Sequence, residues 1–363
     1  MTASGWGRER GRAIGDELGP VIRRGVEQWK QALAERIGQD PDDHLQRLVA
    51  TTGFLVASRR LTPDLVDEVT GTAEAAGLSF RDLFAYQLAD EEWWWAESSA
   101  SSRGDVVAGA CTALALQGAA AAPVLAQNMD LPLHFDGTQV VLRVQSPGRP
   151  EQVLLTSAGY LGFTGCNSAG VGVCVNTLLQ LRPSPAGLPV AFMVRKALES
   201  WALPEALMTL MTTPHASGQN YLVGDPGNVV DLECSADGAR EIPVPHGGFC
   251  HTNHPLAASP APTPSPEAGP VSNSQQRWGY CQGQLSRTRS AADLESLLAD
   301  RTVPVSVLPT AGRKVKTFGA VSFVLSVPPV LRIAAGPPSD VAWHDVNVDT
   351  ADPRPLASSW SAP

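Results

Sequence analysis

The stretch Gly109-Ala110-Cys111-Thr112-Ala113-Leu114 decides how this chain is read, together with Ala126-Gln127-Asn128-Met129-Asp130 nineteen residues after the cysteine. Small residues lead into a cysteine and a threonine, and a second apolar run leads into a polar cluster. The pattern predicts strand, turn and strand, with Cys111 at the head of the first strand. A cysteine behind two small residues can, in a strained turn, attack the preceding carbonyl and convert the amide to a thioester that water hydrolyses. Cleavage before Cys111 frees an α-amino group of ordinary pKa about 8, able to act as base on its own thiol. Taken alone, such a cysteine is more often structural, so the surroundings have to carry the argument.

The run Val106–Met129 carries no charge and is long enough to cross a bilayer. It is rich in Ala and Gly, broken by Gln117-Gly118 and Pro123, and lacks basic flanks and an aromatic belt. A buried hairpin is the better reading, with no membrane partner. The N-terminal residues 1–17 carry charge and glycine rather than an apolar core, so no secretory signal is read there. The 363 residues suffice for one large domain or two ordinary ones, and 43% hydrophobic with 17% charged residues is ordinary for a soluble chain. A net charge of -9 without basic clusters argues against nucleic acid as a partner. The six cysteines (111, 166, 174, 234, 250 and 281) form no CxxC pair and no zinc spacing with His. Those in apolar runs read as small buried hydrophobes, which fits a reduced, cytoplasmic location.

Residues 1–100 read as helical: Ala13–Ile37, Leu45–Ala57, a segment from Thr62-Pro63 to Gly77, and Leu83–Trp95 behind a Ser79/Asp82 cap. Trp93-Trp94-Trp95 beside Glu91 and Glu92 read as packing residues that can also wall a substrate pocket. Ala100–Asp105 is a Ser-rich junction. Strands are expected at 138–144, 153–157, 171–175, 221–224 and 229–234, helices at 188–199, 204–211 and 290–298, and a closing hairpin at 318–325 and 330–334. Pro255–Pro270 reads as a long exposed loop. The order of elements implies α+β, or layered sheets with covering helices, rather than alternating βαβ units.

The chain resembles the acyl-CoA:isopenicillin N acyltransferase family, a branch of the N-terminal nucleophile (Ntn) hydrolases. The blocks that carry the resemblance are Cys111-Thr112, Gln127-Asn128-Met129-Asp130, Gly165-Cys166-Asn167-Ser168-Ala169-Gly170 with Val175-Asn176, Asn220-Tyr221-Leu222, Thr252-Asn253-His254 and the strand pair 318–336. Arg10-Gly11-Arg12-Ala13-Ile14-Gly15 and the acidic helix end match the part that precedes the cleavage site. The resemblance implies an α+β fold, the Ntn αββα four-layer sandwich, with residues 1–110 as a helical α chain retained after self-cleavage and 111–363 as the β chain. It implies Cys111 as nucleophile and new N-terminus, Asp130 supporting processing and steadying the α-amino group, Asn253 as oxyanion-hole donor, and Asn176 as a further polar group of the site.

Two departures narrow the reading. The junction is Ala110-Cys111 rather than Gly-Cys, and Gln127 stands where the penicillin V acylase and bile salt hydrolase branch has an arginine. Arg313 lies near the place of the family's late arginine. The expected chemistry is hydrolysis of a small-molecule amide, or transfer of its acyl group, through a Cys111 acyl-enzyme. No metal or redox cofactor is implied, and acyl-CoA is a cosubstrate only in the transferase version. The competing readings are a conventional thiol hydrolase pairing Cys111 with His251 or His254, and a non-catalytic binding protein on the same fold.

Overall fold

The computed structural model describes residues 1–98, 110–118, 121–257, 273–303, 305–310 and 314–348. The expected Ser-rich junction, Gly109, Arg313 and most of the Pro-rich loop lie outside the described residues.

The chain opens with a short strand β1 (Thr2–Ser4) and six helices: α1 (Gly7–Ile37), α2 (Pro41–Thr51), α3 (Phe54–Leu61), α4 (Pro63–Ala76), α5 (Phe80–Tyr86) and α6 (Glu91–Ser98). The helix α1 starts six residues before the expected Ala13, because the Glu9 carboxylate turns back to accept from the Trp6 amide, 2.9 Å away. Gly11 sits where α1 meets α4, and a Cβ there would lie 2.0 Å from the Glu68 carbonyl oxygen. The two helices therefore touch through backbone. The single helix expected over 45–57 is two, since the Gly53 amide leaves the helical ladder to donate to Pro185 O at 2.6 Å. The helix expected over 83–95 is also split. Gln87 ends α5 by bonding Leu83 O, Gly159 O and the Leu161 amide, and α6 starts afresh at Glu91.

The hairpin β2 (Ala110–Gly118) and β3 (Ala121–Pro132) follows, in place of a membrane span, with Ala110 opposite Asp130 and Cys111 opposite Met129. Then come β4 (Gln139–Gln145), β5 (Gln152–Ser157), β6 (Thr164–Asn167), β7 (Gly172–Thr177), α7 (Val190–Ala197), α8 (Leu203–Thr212), β8 (Gln219–Gly224), β9 (Val229–Ser235), β10 (Gly238–Ile242) and β11 (Gly247–His251). The chain continues through α9 (Asn273–Leu285), α10 (Ala291–Leu298), β12 (Val315–Val324), β13 (Val330–Ala334) and β14 (His344–Val346). Neither α9 nor β6 was expected from the sequence.

Eight strands form one sheet in the order β1-β4-β5-β6-β7-β8-β9-β10, and six form the other in the order β11-β2-β3-β12-β13-β14. Apart from the parallel β1–β4 pair, every neighbour is antiparallel. The sheets face each other across a core that holds Cys111, Ala113, Leu125, Met129, Val173, Tyr221 and Phe323. Alternation along β2 and β3 turns Leu114, Val124 and Ala126 the other way, under Cys281 and Leu285 of α9 and Leu294 and Leu298 of α10. The outer face of the larger sheet is covered by α7 and α8 together with α4. The layer order is thus αββα. Residues 1–98 were expected to be helical throughout, but they also lend β1 to the larger sheet through Thr2↔Arg143, Ala3↔Val144 and Ser4↔Gln145.

All six cysteines are free and buried. Among the described residues no helix is long and apolar enough to cross a membrane.

Candidate active site

Cys111 lies at the start of β2, only 7% exposed, with its thiol in the core between the sheets. Burial, and next the Asp130 carboxylate, push that thiol up to about 12, while the Arg277 guanidinium and the Asp130 backbone amide act in the opposite direction. The main chain of Cys111 is held as tightly as its side chain. Its amide donates to Asn253 Oδ1 at 2.7 Å, and its carbonyl accepts from Arg277 Nη1 at 2.6 Å.

Asn253 sits just past the end of β11, the strand that pairs with β2. Its Nδ2 donates to Thr177 O at 3.1 Å, and its Oδ1 also accepts from Arg277 Nη2 at 2.9 Å. The structure thus brings Asn253 to Cys111, with its oxygen rather than its amide hydrogens facing the cysteine backbone. Asp130 stands opposite Ala110 in the β2–β3 ladder, and its charge is felt at the Cys111 thiol. It accepts from Thr317 Oγ1 at 2.5 Å. The β3–β12 ladder slips between Thr317 and Gly319, and this bulge sets the strand position of Thr317 against Asp130.

Asn176, on β7, stands one residue from the contact with Asn253. Its Nδ2 reaches His251 O at 3.5 Å, and its neighbour Thr177 receives Asn253. Gln127 is structural: it clamps β3 to β7, accepting from the Val175 amide at 3.3 Å and donating to Val175 O at 2.5 Å.

The residue that sequence reasoning missed is Arg277. It reaches the site from α9, fully buried, and donates to Cys111 O, Thr112 Oγ1 (2.7 Å), Asn253 Oδ1 and Asn273 Oδ1 (3.2 Å). The buried stripe of α9 is Ser274, Arg277, Cys281 and Leu285. Its spacing is helical, but half of its members are polar, so a search for apolar periodicity passes over it.

The acidic end of the N-terminal segment also closes on this region. Asp90 accepts from Thr177 Oγ1 at 3.0 Å and from Gln219 Nε2 at 2.5 Å. Glu91 Oε1 accepts from the Val190 amide at 2.8 Å and from Ser217 Oγ at 2.9 Å. Burial raises both carboxyls, and Asp90 raises Glu91 further.

The histidines are engaged elsewhere. His251 Nε2 meets Glu233 at 3.1 Å and Nδ1 meets Thr252 O at 2.8 Å. Burial opposes its charge, but Asp231 and Glu233 outweigh that and raise its pKa. His254 Nδ1 lies 2.8 Å from Ser274 Oγ, and burial, with His251 and Arg277, lowers it to about 4. Neither ring nitrogen of His251 is left to serve Cys111, and His254 is tied to Ser274. Among the described residues no group of His, Cys, Asp and Glu is placed to hold a metal.

Residues 118–328, more than half of the chain, match the family model described as acyl-coenzyme A:6-aminopenicillanic acid acyl-transferase. The match begins after Cys111. The acyl-coenzyme A:6-aminopenicillanic-acid-acyltransferase 40 kDa form of Emericella nidulans is 31% identical over 162 residues. That alignment covers 44% of this chain and 45% of the relative, so it spans less than half of the curated protein it matches. Among solved structures, a mutant conjugated bile acid hydrolase from Clostridium perfringens aligns at 12% identity and TM-score 0.41, covering 65% of this chain and 92% of that one. Penicillin V acylase from Agrobacterium tumefaciens aligns at 14% identity and TM-score 0.41, with 65% and 86% covered. With the ordered sequence blocks, the paired sheets and the family match over 118–328 in hand, the chain belongs to the acyl-coenzyme A:6-aminopenicillanic acid acyl-transferase family.

Proposed function

We propose that this protein cuts itself between Ala110 and Cys111 and then acts on amides as an N-terminal cysteine enzyme. The observation that carries the reading is the polar cradle on the Cys111 main chain, with Asn253 Oδ1 on its nitrogen and Arg277 on its carbonyl. Any buried amide nitrogen needs an acceptor, but here β11 has ended and a side-chain oxygen takes the place of a ladder carbonyl. Such a side chain can hold the nitrogen both as an amide and, after cleavage, as an amine.

In processing, Cys111 Sγ attacks the Ala110 carbonyl carbon, and the thiol proton passes to the departing Cys111 nitrogen. The C–N bond breaks to leave a thioester. Water then cleaves the thioester, giving the Ala110 carboxylate and a free Cys111 thiol beneath its α-amino group. Asp130 is placed to steady that amine, and Asn253 Oδ1 can keep the bond it already has to the nitrogen. In turnover the amine takes the thiol proton, the sulfur attacks a substrate amide, and Asn253 Nδ2, moving from Thr177 O, donates to the oxyanion. The protonated α-amino group passes that proton to the substrate's departing nitrogen, the C–N bond breaks and an acyl-enzyme remains, which water hydrolyses or a second amine captures. Asn176 supports the strand on which Thr177 meets Asn253.

The names of the family and of the Emericella relative favour acyl-transfer chemistry on a small molecule, with acyl-CoA as acyl donor in that version. The residues at Cys111 suit hydrolysis equally, and the chemistry needs neither metal nor redox cofactor.

Denaturing electrophoresis tests the first step. The purified 38.3 kDa chain is expected to run as fragments of about 12 and about 27 kDa, its mass divided in proportion to the 110 and 253 residues on either side of the cut, and Cys111→Ala as one intact band. Intact-mass analysis after incubation with N-acyl amides tests the second, the acyl mass being expected on the larger fragment. Full amidase activity in an uncut wild type would overturn the reading.

A further inference from the structure

β11 ends at His251, and the chain leaves the sheet before it reaches Asn253, whose side chain holds the Cys111 nitrogen. As far as His251, which lies opposite Ala113, the ladder with β2 fixes the backbone. Past it, side chains hold the turn instead. Ser274 of α9 holds the middle, its Oγ accepting from the Asn253 amide at 2.8 Å and its carbonyl from Thr252 Oγ1 at 3.0 Å. The two ends of the turn meet on one carboxylate, that of Glu233 on β9. At the far end it accepts from the amides of Leu256 and, at 3.3 Å, Ala257. At the near end its Oε1 lies 3.1 Å from His251 Nε2. Glu233 belongs to the larger sheet and β11 to the smaller, so this carboxylate crosses between them.

The atoms around His251 fix its charge. Nδ1 faces the Thr252 carbonyl oxygen at 2.8 Å, and Nε2 faces two carboxylates, Glu233 at 3.1 Å and Asp231 at 3.9 Å. Neither a carbonyl nor an ionised carboxylate can donate, so both ring nitrogens must, and only the imidazolium carries two N–H groups. Burial raises Asp231 only to about 6, so it is ionised at pH 7. His254, lowered to about 4, is neutral there and adds no competing charge. A bond between imidazolium and carboxylate is roughly twice as strong as a neutral one. A buried ion pair adds little stability over a well-packed apolar pair of the same size, so what it contributes here is position.

We infer that Glu233 and a doubly protonated His251 are positioning residues, which close the turn 251–257 so that Asn253 faces the Cys111 nitrogen. His251 lies two residues before Asn253 and Leu256 three after it, so both arms of the turn are short. Loss of either contact frees one arm and takes Asn253 Oδ1 away from Cys111. His251 thus acts on the site through Asn253 rather than as a base on the thiol. What Asn253 does at Cys111 rests on the self-cleaving reading; the clamp on the turn stands apart from it.

Three measurements test the clamp, the first two on full-length Cys111→Ala, which stays uncut. In nitrogen NMR of the histidine-labelled protein, the His251 signals, identified by their loss in His251→Gln, are expected to show protons on both ring nitrogens at pH 7. Adding Glu233→Gln is expected to weaken the hold on the second proton about tenfold. In hydrogen exchange read by mass spectrometry, peptides covering 252–257 are expected to exchange at least tenfold faster with Glu233→Gln. In the third, Glu233→Gln in the otherwise wild-type chain is expected to slow the appearance of the 1–110 and 111–363 fragments about tenfold. A bare ring nitrogen at pH 7, a proton held as tightly without Glu233, unchanged exchange, or cleavage at the wild-type rate each overturns the proposal. If circular dichroism shows Glu233→Gln unfolded, His251→Gln decides by the same exchange and cleavage measurements. A wild type that is never cut sinks the Cys111 reading, and the NMR and exchange results then judge the clamp alone. Normal cleavage in the wild type with a neutral His251 overturns the clamp and leaves the Cys111 reading standing.

Discussion

At Cys111 the decisive quantity is the protonation of one sulfur. With its thiol pushed up to about 12 by burial and by Asp130, the uncut chain holds only about one part in 10⁵ as thiolate at pH 7. Once a free α-amino group lies beside the sulfur, that amine can take the proton. Iodoacetamide is therefore expected to label Cys111 on the 111–363 fragment and not on any remaining full-length chain, which peptide mass mapping reads directly. Labelling of both species alike would contradict the role given to the new amine. Arg277 is the second residue to test. Replacing it with Met leaves Cys111 O, Thr112 Oγ1 and Asn253 Oδ1 without its fork, and a site misplaced by an ångström loses on the order of 10²-fold in rate. A time course of fragment appearance is expected to slow by that factor, with partial rescue by Arg277→Lys. Unchanged processing would make Arg277 a packing residue only.

At the scale of elements, the N-terminus of α6 decides how the first segment meets the rest. Asp90 and Glu91 enter the interior and bond Thr177, Gln219, Val190 and Ser217. Their carboxyls are raised by burial, and Glu91 also by Asp90, so the folded state binds more protons than the unfolded one, where carboxyls titrate near 4. The sign follows: their contribution to stability is complete below that value and is lost as pH rises through the raised folded values. Thermal midpoints are expected to fall from pH 5 to pH 9, and Glu91→Gln to flatten that slope. A wild-type midpoint that climbs over this interval would refute the assignment. This docking was invisible in the sequence, where the acidic residues stood only beside the tryptophan run at the end of one expected helix. The caps read correctly because they are local: Pro63 opens α4, Gly77 closes it in the left-handed region, and Ser79 accepts from the Asp82 amide. The breaks at Gly53 and Gln87 depend on Pro185 and Gly159, more than 70 residues away, and no local pattern encodes them.

In the whole molecule, Glu68 is the joint between the two prospective chains. It lies fully buried between Arg10 of α1, at 2.7 Å, and Arg195 of α7, at 2.6 Å. Burial opposes its charge, but Arg195 and Arg10 prevail and hold the carboxyl below its ordinary range. Removing one member of such a buried set leaves uncompensated charge and costs about 3–5 kcal/mol. Glu68→Ala is expected to lose that much in urea unfolding and to let the 1–110 and 111–363 fragments separate on native gel filtration, where the wild-type fragments co-elute. Co-elution with unchanged stability would place the joint elsewhere. A hairpin led by Cys111 and the closing pair 318–334 were legible because period-2 alternation and turn residues are local signals, while the ordered short blocks carried the family resemblance that implied the αββα class and the candidates Cys111, Asp130 and Asn253. The fold alone settles that Asn253 turns its oxygen to the Cys111 nitrogen, that Arg277 arrives from an unforeseen helix, and that β1 joins the larger sheet. Each of those depends on hydrogen bonds or packing between residues far apart in the chain, and such partners are chosen by the fold as a whole.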